Sequence, residues 1–189
     1  MNTYDFDKTI FYPDSSACFY KHCLKNHTAA VLKTLPRTAI KAIKYALGKI
    51  KTKELKEQLF SFLPDVMDID QVVESFWQDN YGGIGKWYLE QKKDDDIIIS
   101  ASPEFLLKPI CQKLGINHLI ASRVDPKSGK FLGENCRGEE KVKRLAAEYS
   151  VIHIDKFYSD SKSDLPLAQI ADQSFLVQNG TLSEWDIQK

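Results

Sequence analysis

Beyond Lys93 the chain alternates short apolar runs with amphipathic stretches, and this alternation limits the fold more than any other feature of the 189 residues. DDDIIIS is an acidic turn feeding an apolar strand that ends at Ser100, and SPEFLLKPICQKLG reads as a helix capped by Ser102, with Pro103 at its first position and Gly115 at its exit. NHLIAS is then a strand, DPKSGKFLG a small hairpin, EEKVKRLAAEY a helix, VIHIDKFYSD a strand, SDLPLAQIAD a helix and QSFLV a last strand. Repeated βαβ units predict an α/β fold, a doubly wound parallel sheet whose active site lies beyond the carboxyl ends of its strands. Asp5, Ser100 and Asp160 all fall at such ends.

The first half reads differently. After an opening strand, the chain is helical in pattern and segregated in charge. From Lys21 to Lys56 it carries ten Lys or Arg and one acid, Glu54; from Glu57 to Glu104 it carries eleven acids and three lysines. In PRTAIKAIKYALGKI, Ile40, Ile43, Leu47 and Ile50 recur at helical spacing beside a stripe of Arg37, Lys41 and Lys44, so an amphipathic helix starting at Pro36 is expected. TKELKEQLFSFL and DIDQVVESFWQDNY supply two more helices before the break at Gly82, Gly83 and Gly85.

Composition removes several classes. The formal net charge is zero, which gives no overall electrostatic reason to expect nucleic acid as a partner. No run of apolar residues is long enough to span a membrane. The four cysteines form no CxxC pair, so they are expected to be reduced thiols in a cytoplasmic protein.

Four short motifs follow one another at the expected strand and helix ends: DFDKT near the N-terminus, Ser100 closing IIIS, Lys141 opening a helix, and YSDSKSD. In that order they resemble the haloacid dehalogenase superfamily of phosphohydrolases, in its phosphoserine phosphatase-like branch, and SASPEFL, CRGEEK and YSDSKSDLP sharpen the likeness. The resemblance implies a Rossmann-like core at 1–13 and 93–189 with an all-helical cap at 14–92.

It also implies roles. Asp5 would attack phosphorus and form an aspartyl phosphate, dividing one difficult displacement into two. Asp7 would protonate the leaving oxygen and then take a proton from the attacking water. Ser100 and Lys141 would hold phosphoryl oxygens, and magnesium would be bound by Asp5, the Asp7 main-chain carbonyl and Asp160. Thr9 and Asp164 would support these groups from behind. An acid at position 7 speaks against dehalogenation, because a halide leaves without a proton. A calcium loop counted from Asp5 would need Gly and Glu where Ile10 and Ser16 stand.

The substrate is expected to be a small phosphorylated molecule. Asp14 stands where phosphoserine phosphatases carry a glutamate that reads the substrate amine, one methylene longer. Arg37, with the rest of its basic stripe, suits a solvated surface, a polyanionic substrate or peripheral contact with anionic lipid. Transfer of the aspartyl phosphate to an acceptor other than water, and a binding role on the same fold, remain alternatives.

Overall fold

The computed structural model describes residues 1–149 and 153–187. The elements run β1 (Asn2–Tyr4), α1 (Ser15–Asn26), α2 (Thr28–Ala46), α3 (Thr52–Leu59), α4 (Ile69–Asn80), α5 (Lys86–Gln91), β2 (Ile97–Pro103), α6 (Glu104–Lys113), β3 (His118–Ser122), α7 (Glu139–Glu148), β4 (Ile154–Ser159), α8 (Leu165–Ala168), β5 (Ala171–Gln178) and β6 (Thr181–Glu184). The expected strand at VIHIDKFYSD is thus found from Ile154; Val151 and Ile152 lie outside the described residues.

The sheet has the order β3-β2-β1-β4-β5-β6. Its first five strands are parallel. Alternate residues feed two separate apolar layers. Tyr4, Ile98, Ala121 and Tyr158 join a cluster with α1, α4 and α6, whereas Ile97, Ile99, Ile120 and Phe157 join one with Leu145 of α7 and Leu167 of α8. Helices therefore cover both faces, as continuous apolar runs such as IIIS require. On the first face Tyr4 stacks on Tyr158 at 4.7 Å between ring centres, and Tyr158 stacks on Phe175 at 5.0 Å, so one aromatic ladder crosses β1, β4 and β5.

Three expectations are corrected. QSFLV is not the last strand: Asn179 and Gly180, at φ 50° and 81°, turn the chain back so that β6 pairs antiparallel with β5. Such a pair with positive φ at both residues is the turn that matches strand twist. Pro36 does not start a helix; it lies inside α2. A proline there removes one hydrogen bond to the carbonyl four residues back, and both Leu32 and Pro36 face solvent, where water can take that carbonyl. Ser102 does not cap α6, because β2 runs on to Pro103 and no side chain caps that helix.

The helices that follow β1 form a cap seated on the carboxyl ends of the strands. The cap is fastened to the core by the loop closed at the Val124–Phe131 bridge. Phe131 N donates to Glu57 Oε1 of α3 at 3.1 Å, and Gly129 (φ 72°) lies so close to the Phe60 main chain that a Cβ would stand 2.2 Å from its carbonyl oxygen. Only glycine fits that approach.

Candidate active site

The strand order reverses direction at β1, which has β2 on one side and β4 on the other. In an open α/β sheet this is where a crevice forms. Tyr4 pairs with Ile98 and with Tyr158, so Asp5 leaves the sheet beside the carboxyl ends of both neighbours. Asp5 N still donates to Tyr158 O at 2.8 Å, but by Lys8 the backbone has turned to φ 58° and donates to Phe11 O at 2.6 Å. That abrupt turn brings Asp5 and Asp7 to the wall of one cleft of about 290 Å³.

Gly138, at φ 58°, turns the chain into α7 and sets Lys141 in its first turn. The Lys141 side chain is 1% exposed; its Nζ donates to Asp5 Oδ1 at 2.6 Å and to Asp164 Oδ2 at 2.7 Å. The Ser159 hydroxyl donates to the same Asp164 oxygen at 2.8 Å. Asp164 Oδ1 is buried with no hydrogen-bond partner among the described residues. Burial pushes the Asp5 carboxyl above its ordinary range and Lys141 pulls it back, while Asp164 and Asp7 raise it further. Burial alone would lower Lys141, yet the two carboxylates beside it outweigh that and hold it above the lysine range.

Asp7 is held from two sides. Ser15 N donates to Oδ1 at 2.7 Å and the Ser102 hydroxyl to Oδ2 at 2.5 Å. Ser102 Oγ is also 3.0 Å from Ser15 Oγ and 2.9 Å from Ser16 Oγ, so α1 and β2 jointly fix this carboxylate. Burial and the charge of Asp14 raise Asp7 above its ordinary range against those hydrogen bonds, a direction that suits a proton donor. Across the cleft, Asp160 N donates to Thr9 Oγ1 at 2.9 Å, tying the end of β4 to the loop after β1, and burial raises the Asp160 carboxyl as well.

The structure brings Asp5, Asp7, Asp14, Ser100, Lys141, Asp160 and Asp164 to this cleft, with Thr9 behind Asp160. One oxygen of Asp14 is already engaged, since Oδ1 accepts from Ala17 N at 2.9 Å as the cap of α1. Arg37 is not brought there; it is exposed on α2 and absent from the cleft wall. Ser102, expected only as a helix cap, and the cleft residues Thr52, Lys56, Asn135 and Arg137 were not expected at the site from sequence. Lys56 Nζ donates to Ala101 O at 2.8 Å, and burial lowers it against the pull of Asp7 and Asp14. The Arg137 guanidinium makes no hydrogen bond or ion pair among the described residues. CRGEEK was a visible signal for Arg137; Lys56 was hidden in a run of surface lysines.

The cleft wall fits a hard divalent cation. It offers carboxylate oxygens and no imidazole or thiol, burial and neighbouring carboxylates raise Asp5, Asp7 and Asp160, and Asp164 keeps a buried oxygen with no partner among the described residues. Elsewhere among the described residues, His153, Asp155 and Asp172 bring metal-capable atoms within 4.8 Å of one another at the opposite ends of β4 and β5. There Asp155 already accepts from the Met1 ammonium at 2.7 Å and sits 2.9 Å from the His153 ring, so these exposed groups form an ion-pair cluster.

The profile of the haloacid dehalogenase-like hydrolase family matches residues 3–169, and the chain belongs to that family. A probable phosphatase of Mycobacterium tuberculosis (strain ATCC 25618 / H37Rv) is 36% identical over 91 residues, 44% of this chain and 31% of that protein. The chain thus matches about a third of the length of that curated relative. Among solved structures, a Bordetella pertussis Tohama I protein of unknown function superimposes with a TM-score of 0.78 at 19% identity, covering 92% of this chain and 87% of the other. A phosphoserine phosphohydrolase-like protein of Francisella tularensis subsp. tularensis SCHU S4 superimposes with a TM-score of 0.58 at 15% identity, covering 92% and 86%. These likenesses establish the fold, with its helical cap after β1.

Proposed function

We propose that this hydrolase is a magnesium-dependent phosphatase that removes the phosphoryl group from a small phosphomonoester through an aspartyl phosphate at Asp5. The observation that carries this reading is the buried Lys141 ammonium shared between Asp5 Oδ1 and Asp164 Oδ2. It takes up one oxygen of Asp5 and leaves Oδ2 with no hydrogen bond among the described residues, as an in-line nucleophile needs.

Asp5 Oδ2 attacks phosphorus as the bond to the leaving oxygen breaks, and Asp7, held by Ser102 and Ser15, gives that oxygen its proton. Asp7 then takes a proton from water, whose oxygen attacks phosphorus and breaks the bond to Asp5, restoring the carboxylate. Ser100 and Lys141 hold the phosphoryl oxygens through both displacements. Asp5, the Asp7 main-chain carbonyl and Asp160 would hold magnesium, which when bound supplies positive charge against those oxygens. Residues 1–13 and 93–189 form the catalytic core and 14–92 the cap, which contributes Thr52, Lys56 and Asp14 to substrate selection. Four free cysteines fit a reducing, cytoplasmic setting.

The test is phosphate release from p-nitrophenyl phosphate with magnesium. Asp5→Asn should lower turnover by roughly 10⁴ to 10⁶, the range for removal of a nucleophile. Turnover within tenfold of the unaltered protein would overturn the mechanism.

A further inference from the structure

The cap helix α2 presents its apolar face outward. Its buried residues Ala30, Val31 and Thr38 lie on the side that packs on α1 and α3. On the opposite side Leu32, Leu35, Ala39, Ile40 and Ile43, with Leu47 just past the helix end, fall within an arc of about 140°. Ile43 and Leu47 are each 62% exposed and Ile40 55%. Together with Tyr45, this one helix and its end hold half of the exposed large hydrophobic side chains among the described residues. Soluble surfaces rarely collect apolar side chains in this way without an occupant.

The charges beside that face identify the occupant. Lys33, Arg37, Lys41 and Lys44 run along one edge of the apolar arc, and α2 contains no acid. Lys33 pairs with Asp65 and Lys41 reaches the Glu54 carbonyl, whereas the Arg37 and Lys44 side chains have no hydrogen-bond or ion-pair partner among the described residues. A second copy packed antiparallel about a two-fold axis would set this basic edge against itself. An anionic surface complements it. No helix among the described residues is long and apolar enough to cross a membrane, so the helix can only lie in an interface.

We propose that α2 is a membrane-surface helix, which docks the cap on an anionic bilayer with Ile40, Ile43 and Leu47 inserted between headgroups and Arg37 and Lys44 on the lipid charges. Because α3 packs on α2 and carries Thr52 and Lys56 to the cleft, the docked face and the substrate-selecting wall belong to one cap. The inference goes beyond the proposed reaction and does not depend on it, since its test reads binding and not turnover.

The experiment is co-sedimentation of the whole chain with vesicles of phosphatidylcholine alone and with phosphatidylglycerol added, across a salt series. Binding should require the anionic lipid and fall as salt rises. Arg37→Gln with Lys44→Gln should weaken it about 25-fold, roughly fivefold for each cation near an anionic surface. Ile40→Asn with Ile43→Asn should abolish it while leaving circular dichroism unchanged. Equal sedimentation with and without anionic lipid, or unaltered binding by the isoleucine variant, would overturn the proposal. So would a concentration-dependent dimer that this variant dissolves, with no vesicle binding by the unaltered chain.

Discussion

The cleft at the ends of β1 and β4 and the outer face of α2 treat charge in opposite ways. In the cleft, Lys141 is withdrawn from water and held by two carboxylates at 2.6 and 2.7 Å. On α2, the Arg37 and Lys44 side chains are exposed and have no partner among the described residues, and the side chains turned to solvent beside them are apolar. Burying an ion is costly unless geometry and partners repay it, so a buried lysine with two acids marks a place where precise charge is needed. Leaving isoleucines in water is also unfavourable, and it marks a place where something else is met. In the proposed reading the first arrangement serves reaction and the second association.

Breaking the buried charge should give the largest effect on the fold. Lys141→Met removes the only ammonium among the described residues that pairs with Asp5 and Asp164, leaving two carboxylates buried together. It should cost about 3 to 5 kcal/mol of stability, as breaking buried pairs does, and abolish turnover. Urea denaturation beside the phosphate assay reads both; a stable, active Lys141→Met protein would mean that the triad is incidental.

Within the cleft, proton transfer and metal binding should separate. Asp7→Asn should slow turnover by roughly 10² to 10⁴ without altering the magnesium concentration for half-maximal rate. Asp160→Ala should raise that concentration and recover activity as magnesium is added. The opposite pattern in a magnesium titration would exchange the two roles.

The smallest effect belongs to the outer helix. Ile43→Asn changes a side chain that is 62% exposed, so stability to urea should shift by no more than about 0.5 kcal/mol. A loss of several times that would mean the face is covered in the free protein, and the contrast between the two regions would collapse.

Much of the core was readable because βαβ alternation is local and periodic, and because DFDKT, Lys141 and YSDSKSD stand at element ends that the alternation itself locates; Ser100 was expected to end its strand, but β2 runs three residues further to Pro103. β6 was readable too: the Asn179–Gly180 pair is a strong hairpin signal, overlooked beside the stronger helical and strand patterns. Ser102 was harder. Its position before Pro103 fits a helix cap, but the strand continues and tertiary packing brings Asp7 within 2.5 Å of its hydroxyl. Lys56 enters the cleft through the packing of α3 on the core, a relation that no local pattern encodes. For α2, periodicity correctly gave an apolar face and a basic edge, but it could not say which side the protein would bury. Val31 and Thr38 were chosen over Ile40 and Ile43 by contacts with α1 and α3.

The central claim is that Asp5 carries the phosphoryl group. Its most direct test is to quench the enzyme with acid during turnover of p-nitrophenyl phosphate, reduce with borohydride, and sequence the N-terminal peptide. An acyl phosphate at Asp5 is reduced to the alcohol, so the account predicts homoserine at position 5 and unchanged aspartate at position 7. Unmodified aspartate at both positions, with phosphate still released at the same rate, would contradict it.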